Sequence, residues 1–440
     1  MVCRNGLRPR VKATVRRTFR SLRVRNFRLF FIGQFISAVG LWMQQVAELW
    51  LVLEMTDSPA ALGAITATHF GPILVFGLWG GVIADRVDKR RLLMITQTLL
   101  GLLAAGLAVT SAQGTLGVST LFAFSFAVGM VTALDNPTRR SFVREMVPLA
   151  DVPNAVSLNS TLMTSARAVG PAISGLLLAA HGATVVFSVN AISYLAVIVA
   201  LWMMRPGELF RTAPVPRRPG QLVEGLRYSW QNTAIRLPIV MVAWIGTLSF
   251  NFSLLLTLFA DHVFDAGPRG FGVLISMTAI GSLTGALFTA SRARVTERYI
   301  AAAALGFGLV TLVAAVAPTY VLMAIVLVPV GLFAIAFLAG AQGLAQESTE
   351  IHLQGRVMAL FAVVFLGSTP VGGLIAGGVA EWLGPRAAFA MGGITAVIVG
   401  IWAYRVIAAA RSRDEARLEV DRGAEGVAAA RPAWVRKHEE

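Results

Sequence analysis

Twelve long apolar runs, each parted from the next by a short polar segment, decide what this chain can fold into. They lie at roughly 29–53, 61–84, 92–112, 117–135, 155–180 and 184–204. After a charged stretch they resume at roughly 237–261, 271–291, 299–317, 320–344, 357–380 and 386–408. A helix needs about 20 apolar residues to cross the hydrocarbon core of a bilayer, and the runs match that length. A membrane barrel is excluded, because its strands show short alternating segments rather than continuous runs. Composition agrees. The chain is 56% hydrophobic and 14% charged, with a mean hydropathy of +0.70, where a soluble domain carries about 25% charged residues. The expectation is an all-α polytopic membrane protein with twelve transmembrane helices.

The charges say how such a chain is oriented. The net charge of +15 sits in the N-terminal arm and in loops, never as a stripe along a helix, so it is not the footprint of a nucleic-acid surface. Met1–Arg28 carries ten Arg or Lys and no acid, which suits a basic arm against anionic headgroups or a plain topology signal. It lacks a small-residue cleavage site, so no cleaved leader is expected. The connections 85–91, 139–144, 205–236, 292–298 and 356 are also basic. The alternate loops hold Asp57, His181, Asp261, Asp265, Arg269, Glu381 and Arg386 and are poor in cations. This alternation predicts a multi-pass protein of the cell (inner) membrane with both termini cytoplasmic. A single cysteine, Cys3, excludes an internal disulfide, and no Cys–His cluster suggests a metal.

The runs fall into two sets of six. The polar island Gly80–Arg91 follows the second run. It has a decayed echo after the eighth, Gly285 with Arg292 and Arg294. Gly170, Pro171 and Gly175 in the fifth run correspond to Pro370, Gly372 and Gly373 in the eleventh. One fold used twice gives two pseudo-symmetric six-helix bundles, a transporter architecture. The expected segments are a cytoplasmic arm (1–28), an N-terminal bundle (29–204), a cytoplasmic linker (205–236), a C-terminal bundle (237–410) and a cytoplasmic tail (411–440). Within the linker, Gln221–Gln231 reads as a short interfacial helix.

Polar groups inside the spans are the candidate site. Glu48 lies in the outer half of span one, with Gln34 and Gln45 on its helical face and Gln44 one turn before it. A carboxylate within a span faces a water-filled cavity or a partner; the alternative is hydration near the interface. Arg167, in the middle of span five near Asn159, is an interhelical clamp, the receptor of an anionic group or a switching partner for Glu48. Asn251 in span seven and Gln342 in span ten are helix glue or ligands. Gly170 with Pro171, and Pro370, interrupt the hydrogen-bond ladder, which suits a hinge or a packing kink. Asp85, next to Arg86 in the island, suits an ion pair or the cap of the next helix.

The island, Gly81-x-x-x-Asp85-Arg86-x-x-x-Arg90-Arg91 between spans two and three, resembles the loop motif of the major facilitator superfamily, and Gly170-Pro171-x-x-x-Gly175 resembles its antiporter motif. The segments at 27–37 (FRLFFIGQFIS), 135–142 (DNPTRRSF) and 152–160 (VPNAVSLNS), with Arg167, are similar to the branch containing the enterobactin exporter. The resemblance covers about residues 25–410. It departs at Asp88, where the loop motif has Gly, and before Gly129, where Ser125, Phe126, Ala127 and Val128 replace the span-four Arg of drug–proton antiporters. It implies the major facilitator fold, with spans one, four, seven and ten lining a cavity. It also implies a cytoplasmic latch in which Asp85 engages the end of span eleven near Arg356, with Asp135 and Arg139 in the same network.

These features point to a secondary transporter, not an enzyme. The expected activity is proton-coupled export, by alternating access, of a small amphipathic organic molecule such as a siderophore or drug-like compound. No cofactor is expected beyond the proton gradient, and the chain is expected to work as a monomer in the lipid bilayer. An importer of the same fold is the alternative, since fold does not fix direction. A membrane enzyme would need clustered His, Asp or Glu. A primary pump would need a phosphate loop, and a channel a filter; the sequence has neither.

Overall fold

Residues 19–210, 221–292, 294–350 and 353–429 are described by a computed structural model. The expected arm (1–28) and tail (411–440) therefore lie partly outside the described residues, as does the middle of the linker. Twelve helices are long and apolar enough to cross a membrane, and the protein is a multi-pass membrane protein. Span one is Arg25–Thr56, span two Pro59–Arg86, span three Lys89–Ala112 and span four Val118–Glu145. Spans five and six are Val152–His181 and Ala183–Trp202. Span seven runs over Thr233–Val263, span eight is Gly267–Ala290, span nine Glu297–Ala315 and span ten Tyr320–Glu347. Span eleven is Gln354–Leu383, and the twelfth helix, Pro385–Ala429, continues beyond its membrane segment. The linker helix forms at Gln221–Gln231, as the sequence predicts.

An even number of spans puts both described ends of the chain on one side, the terminal face, and the odd-numbered turns (one to two, three to four and so on) on the far face. The packing repeats with a shift of six spans. Span one lies on five and six, two on four, and three on four and six; span seven lies on eleven and twelve, eight on ten, and nine on ten and twelve. The turns repeat as well. Asp57 and Asp265 both take positive φ (49° and 48°) after spans one and seven, and Gly182 and Gly384 do so after spans five and eleven. The two halves meet along spans two and eleven and along spans five and eight.

Two features depart from the expectation. The basic connection 139–144 is not a loop; span four carries it as helix to Glu145. The helix survives there because its charges are matched, with Asp135 beside Arg139 one turn later and Glu145 paired with Lys89 at 2.6 Å. Pro171 and Pro370 lie inside helices that continue past them, each withholding one ladder hydrogen bond without ending its span. A break falls in span seven, between Ser249 and Phe252, where no proline stands. There the Asn251 side-chain amide donates to the Thr247 carbonyl at 2.8 Å, the acceptor its own backbone N–H would use in a continuous helix. Gly372 of span eleven packs directly on that carbonyl and leaves no room for a side chain.

Candidate functional site

A buried polar chain runs through the N-terminal half. Glu48 is 3% exposed, deep between spans one and six. Gln44, one turn earlier on the same helix, donates to Glu48 Oε1 at 2.7 Å, and Asn190 of span six donates to Gln44 Oε1 at 2.5 Å. Ser193 donates to Asn190 Oδ1 at 3.1 Å. The absence of a side chain at Gly40 makes room for Asn190 and Ser193 to reach span one. Among the described residues no cation pairs with Glu48; it is held by an amide that is itself oriented by a second amide. Gln45 faces the other way and meets the buried ring of His69 on span two at 3.0 Å. Gln34 is buried on span one.

Nearer the terminal face a second cluster forms around Asp135. Its Oδ1 accepts from Thr96 at 2.7 Å and from Gln97 at 2.8 Å, both on span three, and Ser37 of span one donates to Gln97 at 3.4 Å. Arg139 lies 3.6 Å from the other oxygen of Asp135 and bonds the Asn136 side chain. Asp135 and Arg139 thus lie one turn apart on span four, and Asp135 is held by buried hydroxyl and amide partners that the motif does not contain.

The island is a tight turn of two residues, Val87 and Asp88, between spans two and three. Asp88 caps span three by accepting from Arg91 N at 3.0 Å; Asp85 lies within the last turn of span two, so the cap of the next helix falls to the residue that replaces the motif's glycine. Arg90 reaches across its own half to the carbonyls of Leu201 (2.7 Å) and Trp202 (3.2 Å) at the end of span six. Arg86 is exposed, Gly81 and Asp85 are half-buried, and Arg356 is half-buried at the start of span eleven. Gly80, the neighbour of Gly81, packs on the span-four backbone at Ala133.

Arg167 has a different setting. Its side chain is exposed on span five beside Thr164, on the terminal-face side of the point where Gly175 of the same helix meets span eight, so it opens into the cleft between the halves. Its guanidinium lies over the Trp42 ring at 5.1 Å. Among the described residues it has neither a carboxylate partner nor a hydrogen-bond acceptor. The pairing of Arg167 with Glu48 that the sequence allows is not made; Glu48 is held on the span-six side. Ser157, Ser160, Thr161 and Thr164 are exposed on the same side of span five towards the terminal face, with Asn159 half-buried beside them. Gln342 is exposed on span ten, whereas Asn251 is buried and occupied at the break in span seven.

On the far face the halves close on glycine. A Cβ at Gly175 of span five would stand 2.6 Å from Pro268 O and 2.8 Å from Gly272 Cα of span eight. The second seam repeats it: a Cβ at Gly377 of span eleven would stand 2.7 Å from Pro59 O and 3.0 Å from Gly63 Cα of span two. Each seam joins a Pro-x-x-x-Gly helix start to one glycine of the opposite half. Gly170, by contrast, packs within its own half on Trp42 and Val39 of span one. Surface contacts reinforce the closure. Glu381 accepts from Ser58 Oγ (2.8 Å) and Ala60 N (3.0 Å), and His262 Nε2 lies 3.0 Å from Asp57 Oδ1. The far side is therefore drawn together.

Comparison with known proteins agrees with this geometry. A family profile of the major facilitator superfamily, described as transmembrane secretion effector, matches residues 16–422. The chain is 25% identical to the staphyloferrin A transporter of Staphylococcus aureus, over 85% of this chain and 94% of the relative. It is 26% identical to the multidrug efflux pump Tap of Mycobacterium tuberculosis, over 86% and 92%. Among solved structures, a point mutant of the peptide transporter POT superposes with a TM-score of 0.72 at 14% identity, covering 87% of this chain and 94% of that one.

Proposed function

The chain belongs to the transmembrane secretion effector family of the major facilitator superfamily, and on that premise we propose that it is a proton-coupled exporter of small amphipathic organic molecules. It is a transporter and not an enzyme. The observation that carries the finer reading is the separation of two polar sites. Glu48 is enclosed in one half on an amide chain, while Arg167 faces the cleft. A proton and a substrate can then occupy different places, and each can bias the same rocking of the halves. The two relatives are named as a siderophore transporter and a multidrug efflux pump, which supports a substrate of that size and character. The terminal face is cytoplasmic in this reading, as the basic loops there favour, and the protein works as a monomer.

The test is uptake into everted membrane vesicles with and without an imposed proton gradient, over a panel of siderophores, dyes and sugars. Gradient-dependent accumulation inside everted vesicles is expected. Accumulation only in right-side-out vesicles would make the protein an importer.

The island supplies a second test. Asp85 acts in this reading as a latch on the terminal face, closed when the far side opens. Asp85→Asn removes the charge and keeps the shape. Transport is expected to fall about tenfold, the effect of one charge-assisted contact, with insertion and abundance unchanged. Unchanged transport would reduce the island to a topology signal.

A further inference from the structure

Two arginines of the N-terminal half stand without acids to match them. Arg167 comes from span five and Arg140 from span four near the terminal face, and both side chains are exposed. Arg139, next to Arg140, is occupied by Asp135 and Asn136. Neither Arg140 nor Arg167 has an ion pair among the described residues. The acids of the surrounding spans are committed or distant. Glu48 is bound by Gln44, Asp135 by Thr96 and Gln97, and Glu145 by Lys89, and Asp85 in the last turn of span two is engaged as well. Span eight has no acid, span ten has only Glu347 at its last residue, and the one acid of span eleven, Glu381, is at the far face.

A guanidinium at that depth is costly unless it meets an anion or acceptors. The hydroxyls on the same face make no hydrogen bond to Arg167 among the described residues. Ser160, Thr161 and Thr164 each donate back to their own helix carbonyls at 3.0 Å. The Trp42 ring holds the guanidinium in place by a cation–π contact and leaves its N–H fork free to receive a planar anion. The half-buried indole ring of Trp42 also sets an aromatic surface beside the guanidinium.

We propose that Arg167, stacked on Trp42, is the anion receptor of the transport path, and that the preferred substrates are carboxylate-bearing molecules with an aromatic or apolar body. Arg140 lies nearer the terminal face on span four and attracts the same charge on entry. This rests on the proposed function, in which the cleft is the transport path.

Binding of two dyes with the same xanthene core separates the possibilities: fluorescein, which carries a carboxylate, and rhodamine 6G, its cationic ester relative. Fluorescence anisotropy on the full-length protein in detergent reads binding without needing a gradient. Wild type is expected to bind fluorescein more tightly than rhodamine 6G. Arg167→Gln is expected to lower the ratio of the two affinities about tenfold or more, the scale of a lost charge-assisted pair, and Arg167→Lys to recover part of it. Arg140→Gln, a change nearer the cleft mouth, is expected to lower the ratio by a smaller factor and provides the reading if the Arg167 variants do not fold. Preference of the wild type for rhodamine 6G, no fluorescein binding, or an equal loss for both dyes overturns the proposal. Fluorescein binding with the expected variant effects but no gradient-driven uptake in vesicles leaves the anion receptor standing and overturns proton-coupled export instead.

Discussion

A leucine at Gly175 is expected to hold the far face of the protein open and to stop turnover. The glycine faces backbone, not side chains: Pro268 O and Gly272 Cα would lie 2.6 and 2.8 Å from a Cβ placed there. Backbone of a neighbouring helix cannot swing aside as a long side chain can, so the helices must part. Overpacking of this kind costs about 1–3 kcal/mol. In a protein that alternates between two states of similar energy, that is enough to shift the population by up to about a hundredfold. Gly377→Leu should act the same way, because its seam with Pro59 and Gly63 has the same geometry. The ion pairs nearby are weaker levers. His262 and Asp57 meet at an exposed edge, where such a pair contributes about 0–1 kcal/mol. The measurement is the spin-label distance between Thr115 and Val316, in the far-face turns of the two halves, with Cys3 replaced by serine. The distance should lengthen in either leucine variant and change less in Gly175→Ala. An unchanged distance together with normal transport would show that the seams adapt and do not control the closed state.

Removal of the Glu48 charge should separate binding from driving force. Glu48→Gln keeps the length and shape of the side chain, and the new amide oxygen can accept from Gln44 as the carboxylate does, so the links to Asn190 and span six persist. Folding should survive. The variant cannot carry a proton at this position, so uphill accumulation should be lost and the accumulation ratio should fall to about one. Exchange of substrate across the membrane at equal concentrations should continue, because alternation needs no net proton. Proteoliposomes loaded with substrate give both quantities from one preparation, and the pH dependence of transport should flatten in the variant. Full gradient-driven accumulation by Glu48→Gln would remove the carboxylate from the coupling mechanism.

The twelve spans were legible because a bilayer leaves the backbone almost no choice: a segment crossing it must satisfy its own hydrogen bonds, and a helix of apolar residues is the form that does so. The duplication was legible through Gly81-Asp85-Arg86 and its decayed echo, and through the glycines of spans five and eleven. Local electrostatics misled at span four, where the apolar run ends at Asp135 and the stretch from Arg139 reads as a connection. Asp135 and Arg139 lie in a helix because each meets partners from span three or one turn away. The break in span seven was illegible for the opposite reason. Nothing at Phe250 and Asn251 resembles a helix breaker, and the break depends on where one side-chain amide donates. Glu48 stood out as a carboxylate in a span, but its support by Asn190 required knowing that spans one and six touch. The Pro-x-x-x-Gly starts at Pro59 and Pro268 were visible in the sequence; only the structure identified the glycine opposite each.

Among the described residues, every buried charged or imidazole side chain belongs to the N-terminal half: Glu48, His69, Asp135, Arg139 and Glu145. The buried polar residues of the other six spans are hydroxyls and a single amide, Asn251. Two copies of one ancestral unit have therefore divided their labour. The first retains the parts that respond to charge, and a change there is felt by the whole cycle. The second is free to vary its aromatic and hydroxyl surface with little electrostatic consequence. In the proposed cycle, the surface of the second copy can then drift while the coupling carboxylate stays fixed in the first.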